Sequence, residues 1–241
     1  MTQTIIVTGC AKRIGLGIVS FYLKNSDYKV IGVVRNISSE LKNLKSMYPQ
    51  KIELIIKDLD NELLDTHFFK EIIDTHGELK GFIHCASKLL IDTLETVLDE
   101  DFLSQRRIHY TLFNEALLAY LEIAKTNNLK TIPCFINFGD YKVSNGKNVG
   151  FSYGQSKFLA INSIKEQAQN ALGYARVNAV SPGYTLPTEG YVENFKEIID
   201  GFPFKYTSDI QDICDTIDFF IKQKSITGQH IAVDAGAGLV K

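Results

Sequence analysis

No apolar run in this chain approaches the roughly 20 residues that a membrane-spanning helix needs. The opening stretch "MTQTIIVTG" lacks a charged leader, a long apolar segment and a small-residue cleavage site, so no export signal is expected. Neither sign of charge dominates. With 26 Lys and Arg against 28 Asp and Glu, the net charge of -2 gives no reason to expect nucleic acid or an anionic membrane surface as a partner. Cysteines are few and scattered: Cys10, Cys85, Cys134 and Cys214 form no C-x-x-C pair, which argues against a zinc site or a redox couple. They are expected to stay reduced in the cytoplasm as small buried hydrophobes. Repeats, low-complexity tracts and proline-rich linkers are missing too. With 45% hydrophobic residues, residues 1–241 are expected to form one domain with a full core.

What is present is a regular alternation. Short Val/Ile-rich runs at Thr4–Thr8, Lys29–Val34, Ile52–Ile56, Gly81–Cys85, Cys134–Phe138, Ala175–Val180 and His230–Asp234 read as about seven strands. Most are continuous rather than alternating, which suits strands buried on both faces of a parallel sheet. Amphipathic segments lie between them, among them Ile14–Lys24, Leu63–Thr75, Phe102–Thr126, Tyr153–Leu172 and Asp209–Lys222. The pattern predicts an α/β fold, a doubly wound parallel sheet of the Rossmann type with helices on both faces.

In such a sheet, ligands bind beyond the carboxyl ends of the strands. The stretch "TGCAKRIGLG" (residues 8–17) sits there, after the first strand, with Gly9, Gly15 and Gly17 around the cations Lys12 and Arg13. Glycines let the backbone of this loop, Ile14 included, approach a diphosphate at a helix N-terminus. The spacing, G-x5-G-x-G, also suits an ordinary strand-to-helix turn. The second strand ends in "IGVVRN", placing Arg35 and Asn36 where an arginine can pair with a 2′-phosphate, which favours NADPH. A solvated residue beyond a strand would look the same. After the third strand, Asp58 and Leu59 are suited to the adenine edge and face, although an acidic residue there is also a routine helix cap.

"GFSYGQSKFLA" puts Tyr153 and Lys157 at i and i+4 on one helix face. An ammonium beside a phenol lowers the phenol pKa and makes Tyr153 a proton donor to a substrate receiving hydride. The spacing is common by chance; its place after the fifth strand and the loop "SNGKNVG" carries the weight. The combination resembles the short-chain dehydrogenase/reductase family over essentially the whole chain. Thr8, Gly9, Gly15 and Gly17 match the cofactor loop, and Asp58 the adenine contact. "HCAS" (His84, Cys85, Ala86, Ser87) stands where Asn-Asn-Ala-Gly is usual. Tyr153 and Lys157 match the catalytic pair, "SPG" (Ser181, Pro182, Gly183) the turn lining the nicotinamide, and "ITGQHIAVDAG" the C-terminal strand.

Three departures narrow the resemblance. Arg13 replaces a usual glycine, Asp140 replaces the catalytic serine, and His109 replaces the asparagine that supports the proton relay. A carboxylate would repel a developing alkoxide, whereas a hydroxyl donates to it. Asp140 therefore suits a reacting nitrogen or an amino group. In "AKRIG", in the Ala-Ser of "HCAS" and in the Asp preceding Tyr-x-x-x-Lys, the chain resembles the pteridine reductases and dihydromonapterin reductases. That resemblance implies an NADPH-dependent reductase of a dihydropterin or related folate-pathway compound, with Asp140 and Tyr153 protonating the pterin. Arg13 and Ser87 would lie near the cofactor phosphates and the pterin. Leu89 stands where an aromatic stacking residue is usual, and Tyr184 is the candidate to replace it. The alternatives are a carbonyl or 3-oxoacyl reductase, and a non-catalytic cofactor-binding protein, against which the intact Tyr153/Lys157 pair argues. Residues 184–208 are expected to form a substrate lid, with Gly190 and Gly201 as hinges or plain turns. The family also implies a dimer or tetramer built on the long helices 102–126 and 153–172, with Phe113, Leu117, Phe158 and Ile161 on their outer faces.

Overall fold

The computed structural model describes residues 3–127, 129–147, 149–187 and 195–240. Strand β1 (Thr4–Thr8) has no face for water: all five residues are buried, so it occupies the middle of a sheet covered on both sides. It pairs in parallel with β2 (Lys29–Val34) on one edge and β4 (Leu79–His84) on the other. Outward from these lie β3 (Ile52–Ile56), β5 (Cys134–Phe138), β6 (Arg176–Pro182) and β7 (His230–Val233). The described residues thus form one seven-stranded sheet in the order β3-β2-β1-β4-β5-β6-β7, with every pair parallel. Strand order reverses between β1 and β4, which opens a crevice at their carboxyl ends.

The helices, in chain order, are α1 (Arg13–Asn25), α2 (Ser39–Met47), α3 (Thr66–His76), α4 (Asp99–Arg106), α5 (Leu112–Thr126), α6 (Tyr141–Ser144), α7 (Phe151–Asn162), α8 (Ile164–Asn170), α9 (Phe195–Asp200) and α10 (Ile210–Lys222). Side chains alternate across β1. Ile5 and Val7 join the core under α1, α2 and α10, while Ile6 joins the core under α3, α5 and α8. The second core holds an aromatic cluster in which the Phe82 and Phe135 rings lie 5.0 Å apart. Among the described residues, no helix is long and apolar enough to cross a membrane.

Helix α2, capped by the Ser38 hydroxyl on the Leu41 N–H, adds to the segments named from the sequence. Three sequence expectations are corrected. The helix expected over 102–126 is interrupted by a π turn, Arg107–Thr111, because side chains from two strands capture its carbonyls. His84 Nε2–H donates to Ile108 O at 2.6 Å, and Asn137 Nδ2 donates to His109 O at 3.1 Å. The helix expected over 153–172 starts two residues earlier and breaks at Ser163, whose hydroxyl bonds back to Leu159 O at 2.7 Å. Finally, Phe113 and Leu117 do not face outward. Both are buried, with Phe113 packed on Phe82 and Phe135, whereas Phe158 is exposed and Ile161 partly so.

Candidate active site

A cleft of about 1200 Å³ runs along the carboxyl ends of the strands. It gathers Gly9, Lys12, Arg13, Ile14, Gly15, Arg35, Asn36, Asp58, Leu59, Cys85, Ala86, Ser87, Leu89, Asp140, Tyr153, Lys157, Pro182, Gly183 and Tyr184. Of the site residues expected from the sequence, His109 is not among them. Of the cofactor-loop matches, Thr8 lies behind the cleft on His84 and Ala86, while Gly17 packs on Ile210.

At one end, the loop after β1 delivers the N-terminus of α1. Gly9 adopts φ 67°, and a Cβ there would sit inside the backbone of Ala86; one at Gly15 would strike the Gly9 carbonyl. The N-terminus of α1 opens on the cleft at Arg13, Ile14 and Gly15, and its first turn carries no acidic residue to compete with an anion for the helix-end N–H groups. This cradle fits a diphosphate. Arg13 also has a left-handed backbone, φ 55°, which agrees with a glycine being usual there. Its guanidinium donates across the cleft mouth to Pro187 O at 2.8 Å and Leu186 O at 3.4 Å. Arg35 is largely exposed, its Nη1 4.0 Å from Asp60 Oδ2, leaving the guanidinium open to an entering anion. Asp58 is held in a local turn, accepting from Asn61 Nδ2 at 2.9 Å and from the Asp60 N–H at 3.3 Å. The Asn61 amide, with these other donors, holds its pKa below the usual carboxylate range.

At the other end lies the proton machinery. Asp140 caps α6, its Oδ1 accepting the Lys142 N–H at 2.8 Å, and this leaves Oδ2 aimed at Tyr153. The Tyr153 hydroxyl donates to that oxygen at 2.9 Å. The lowered phenol pKa expected from Lys157 is therefore overturned. Burial, then the Asp140 charge, pushes Tyr153 well above its ordinary value. Lys157 is buried and donates to Phe138 O at 2.8 Å, its Nζ 5.8 Å from the Tyr153 ring centre. Burial pushes its pKa down to about 8, against the opposing pull of Asp140.

His109 stands behind this wall, not in it. Both its ring nitrogens are engaged, with Ser156 on one side and with Ser87 and the Lys88 N–H on the other. It packs edge-on against the Tyr153 ring at 5.3 Å, and the hydrogen bonds of its ring nitrogens run to Ser156, Ser87 and Lys88 and not to the Tyr153 hydroxyl. Tyr184 is stacked on Phe195 with centroids 5.2 Å apart, and Leu89, elsewhere on the cleft lining, is half-exposed. Of the expected lid, Gly190 lies outside the described residues, and Gly201 closes the C-terminus of α9 by bonding to Glu197 O.

Sequence reasoning missed Asp92. It is buried, and its carboxylate accepts from both the backbone N–H and the hydroxyl of Ser152 while its carbonyl takes the Phe151 N–H. It thereby sets the start of α7, of which Tyr153 is the third residue. No motif marks it. His84 and Asn137 did carry a signal: Asn137 is a polar residue inside an otherwise apolar strand, and His84 directly follows the apolar pair Phe82 and Ile83, so each needs a buried partner.

The chain resembles known proteins over nearly its whole length. A family model described as enoyl-(acyl carrier protein) reductase matches residues 9–238. The chain is 26% identical to dihydromonapterin reductase of Klebsiella pneumoniae over 244 residues, covering 98% of this chain and 97% of that one. It is 25% identical to 1,2-dihydroxy-1,2-dihydronaphthalene dehydrogenase of Pseudomonas putida over 262 residues, again covering 98% and 97%. Its backbone superimposes on FolM alternative dihydrofolate reductase 1 from Brucella suis, solved in complex with NADP, with a TM-score of 0.87 at 24% identity, covering 99% of this chain and 96% of that one. With the matched span running from the glycine loop to the C-terminal strand, this chain belongs to the short-chain dehydrogenase/reductase family of oxidoreductases.

Proposed function

We propose that this protein is an NADPH-dependent reductase of a dihydropterin or a related folate-pathway compound. The observation that carries the reading is the 2.9 Å bond from the Tyr153 hydroxyl to Asp140 Oδ2. A carboxylate beside the proton donor disfavours negative charge building on a substrate oxygen, and favours a ring nitrogen that takes a proton and keeps no charge. The cofactor, when bound, supplies the hydride. The backbone around Gly9 and Gly15 holds its diphosphate, with Lys12 and Arg13 adding charge, and Arg35 with Asn36 holds the 2′-phosphate. Asp58 and Leu59 border the adenine. Cys85, Ala86, Pro182 and Gly183 line the path to the nicotinamide, and Lys157 holds the adjoining ribose. Tyr153 delivers its proton to the substrate nitrogen, and Asp140, which is partly open to the cleft, takes up a proton from water and passes it to the phenolate left behind. Ser87, Leu89 and Tyr184 complete the substrate space, with Thr185 and Leu186 at its border.

The names of two relatives, dihydromonapterin reductase and alternative dihydrofolate reductase, support this substrate class. The four unpaired cysteines suit work in a reducing cytoplasm. Exposed Leu103 and Phe158 on α4 and α7 suit assembly into a homo-oligomer, a dimer or tetramer. The test is NADPH oxidation with dihydrobiopterin, dihydrofolate and a panel of ketones, in wild type and Asp140→Ser. Pteridine turnover that the substitution reduces supports the reading. Ketone turnover that rises in the variant, with no pteridine turnover in either protein, replaces it with a carbonyl reductase.

A further inference from the structure

Ser87 lies on the cleft wall just after β4, and its hydroxyl has one hydrogen to give. His109 decides where that hydrogen goes. The imidazole is 1% exposed, and its neighbours assign both nitrogens. Nε2 receives the backbone N–H of Lys88 at 3.3 Å. A ring nitrogen that faces an N–H donor must offer its lone pair, so Nε2 carries no proton. The proton of the neutral ring therefore sits on Nδ1 and is donated to Ser156 Oγ at 2.8 Å, whose own hydrogen goes to Tyr153 O at 2.8 Å. Burial, reinforced by the Lys157 charge, keeps the ring neutral by pushing its pKa well below the ordinary value. With Nε2 an acceptor, the 2.9 Å contact to Ser87 runs in one direction only: Ser87 donates.

We propose that His109, acting through Ser87, makes this point of the cleft wall acceptor-only, selecting substrates that present an N–H or amino group there and rejecting the same skeleton carrying a carbonyl. The pteridine identity of the substrate rests on the reading above; the polarity of Ser87 does not. A serine without His109 would turn its hydrogen toward whichever group arrived and would discriminate little. With His109 in place, a carbonyl meets two lone pairs, whereas an amino group finds a partner. His109 touches no reacting atom, so it is a positioning residue. By the resemblance, it stands where an asparagine is usual in the family.

The test compares dihydrobiopterin with its 2-oxo counterpart, in which a carbonyl replaces the amino group and N1 gains a hydrogen. The 2-desamino compound, which lacks the amino group and leaves N1 unprotonated, is the control for the change at N1. Wild type is expected to favour the amino compound in KM by roughly 10- to 100-fold. Ser87→Ala and His109→Phe should both collapse that ratio. His109→Gln should restore much of it, since its amide oxygen accepts and its amide nitrogen donates. A purely structural role for His109 would weaken both compounds alike and leave the ratio standing. Thermal melts and NADPH titration report whether each variant folds. Should His109→Phe fail to fold, Ser87→Ala and the ¹⁵N NMR signature of the His109 ring in wild type decide the matter. An Nδ1–H tautomer supports the proposal. An Nε2–H tautomer, or a ratio unchanged in Ser87→Ala, overturns it. If wild type binds neither pteridine, the substrate reading falls by itself, and the tautomer alone decides the polarity of Ser87.

Discussion

Lowering the pH from 7 to 5 should destabilise this protein by about 2 kcal/mol through His84 alone. The side chain is 1% exposed at the end of β4, and its hydrogen bonds leave no place for a second proton. The Ala86 N–H donates to Thr8 Oγ1 at 3.2 Å, Thr8 donates to His84 Nδ1 at 2.9 Å, and His84 Nε2–H donates to Ile108 O at 2.6 Å. Burial pushes the folded-state pKa down to about 4, against about 6.5 in the unfolded chain. Between these values the unfolded chain binds a proton that the folded chain refuses, so stability falls as the pH falls. The contribution is fully retained above pH 6.5 and is exhausted below pH 4. His109, also held neutral by burial, adds to the loss in the same direction. Urea denaturation at both pH values, in wild type and His84→Asn, isolates the effect. The carboxylates titrate alike in both proteins and cancel, so the variant should lose about 2 kcal/mol less than wild type. An equal loss in the two proteins would refute the reasoning.

Asp140→Asn keeps the cap on α6 but removes the charge facing Tyr153. Pteridine kcat/KM should fall roughly 10- to 100-fold, and the alkaline limb that Lys157 sets near pH 8 should move to lower pH, as a rate profile would show. Arg35→Asp should weaken NADPH roughly 10- to 100-fold and spare NADH, measured by fluorescence titration; equal binding of both cofactors by wild type would end that assignment. Tyr153→Phe should cut single-turnover reduction roughly 10²- to 10⁴-fold while NADPH binding stays intact, and a variant that keeps most of its rate would show that another group delivers the proton. Asp92→Ala removes the cap of α7 and should cost about 1–2 kcal/mol, read as a melting midpoint lower by roughly 2–8 °C. Turnover should fall with it, because Tyr153 sits in the freed first turn.

The strands were legible because burial on both faces leaves a continuous Val/Ile run, and five of the seven lie within one residue of their expected bounds at both ends. The long helices were not, because what divides them is not local. Residues 102–126 keep helical spacing throughout, yet carbonyl capture by His84 and Asn137, distant in sequence, opens the π turn within them. Burial alone likewise decided Phe113 and Leu117. A hydrophobic stripe names the positions that pack together, and the sheet then takes the stripe that an oligomer would otherwise have used. In the cleft, the lining residues were legible by type and order. Their electrostatics were not, since the i, i+4 spacing of Tyr153 and Lys157 says nothing of whether Asp140 or Lys157 reaches the phenol first.

The three places where this chain leaves the family pattern on the catalytic side are joined by the fold. His84 holds the carbonyl of Ile108, Asn137 holds that of His109, and the two clamps open the turn that carries the His109 ring to Ser87 and Ser156. Ser156 in turn bonds the carbonyl of Tyr153, whose hydroxyl rests on Asp140. An asparagine at position 109 is too short to bridge Ser87 and Ser156 from the same backbone. Returning it to the usual residue would therefore disturb the hydroxyl on the cleft wall and the helix turn bearing the proton donor together. Substitutions across His84, His109 and Asp140 should be read as one coupled set, not as independent exchanges.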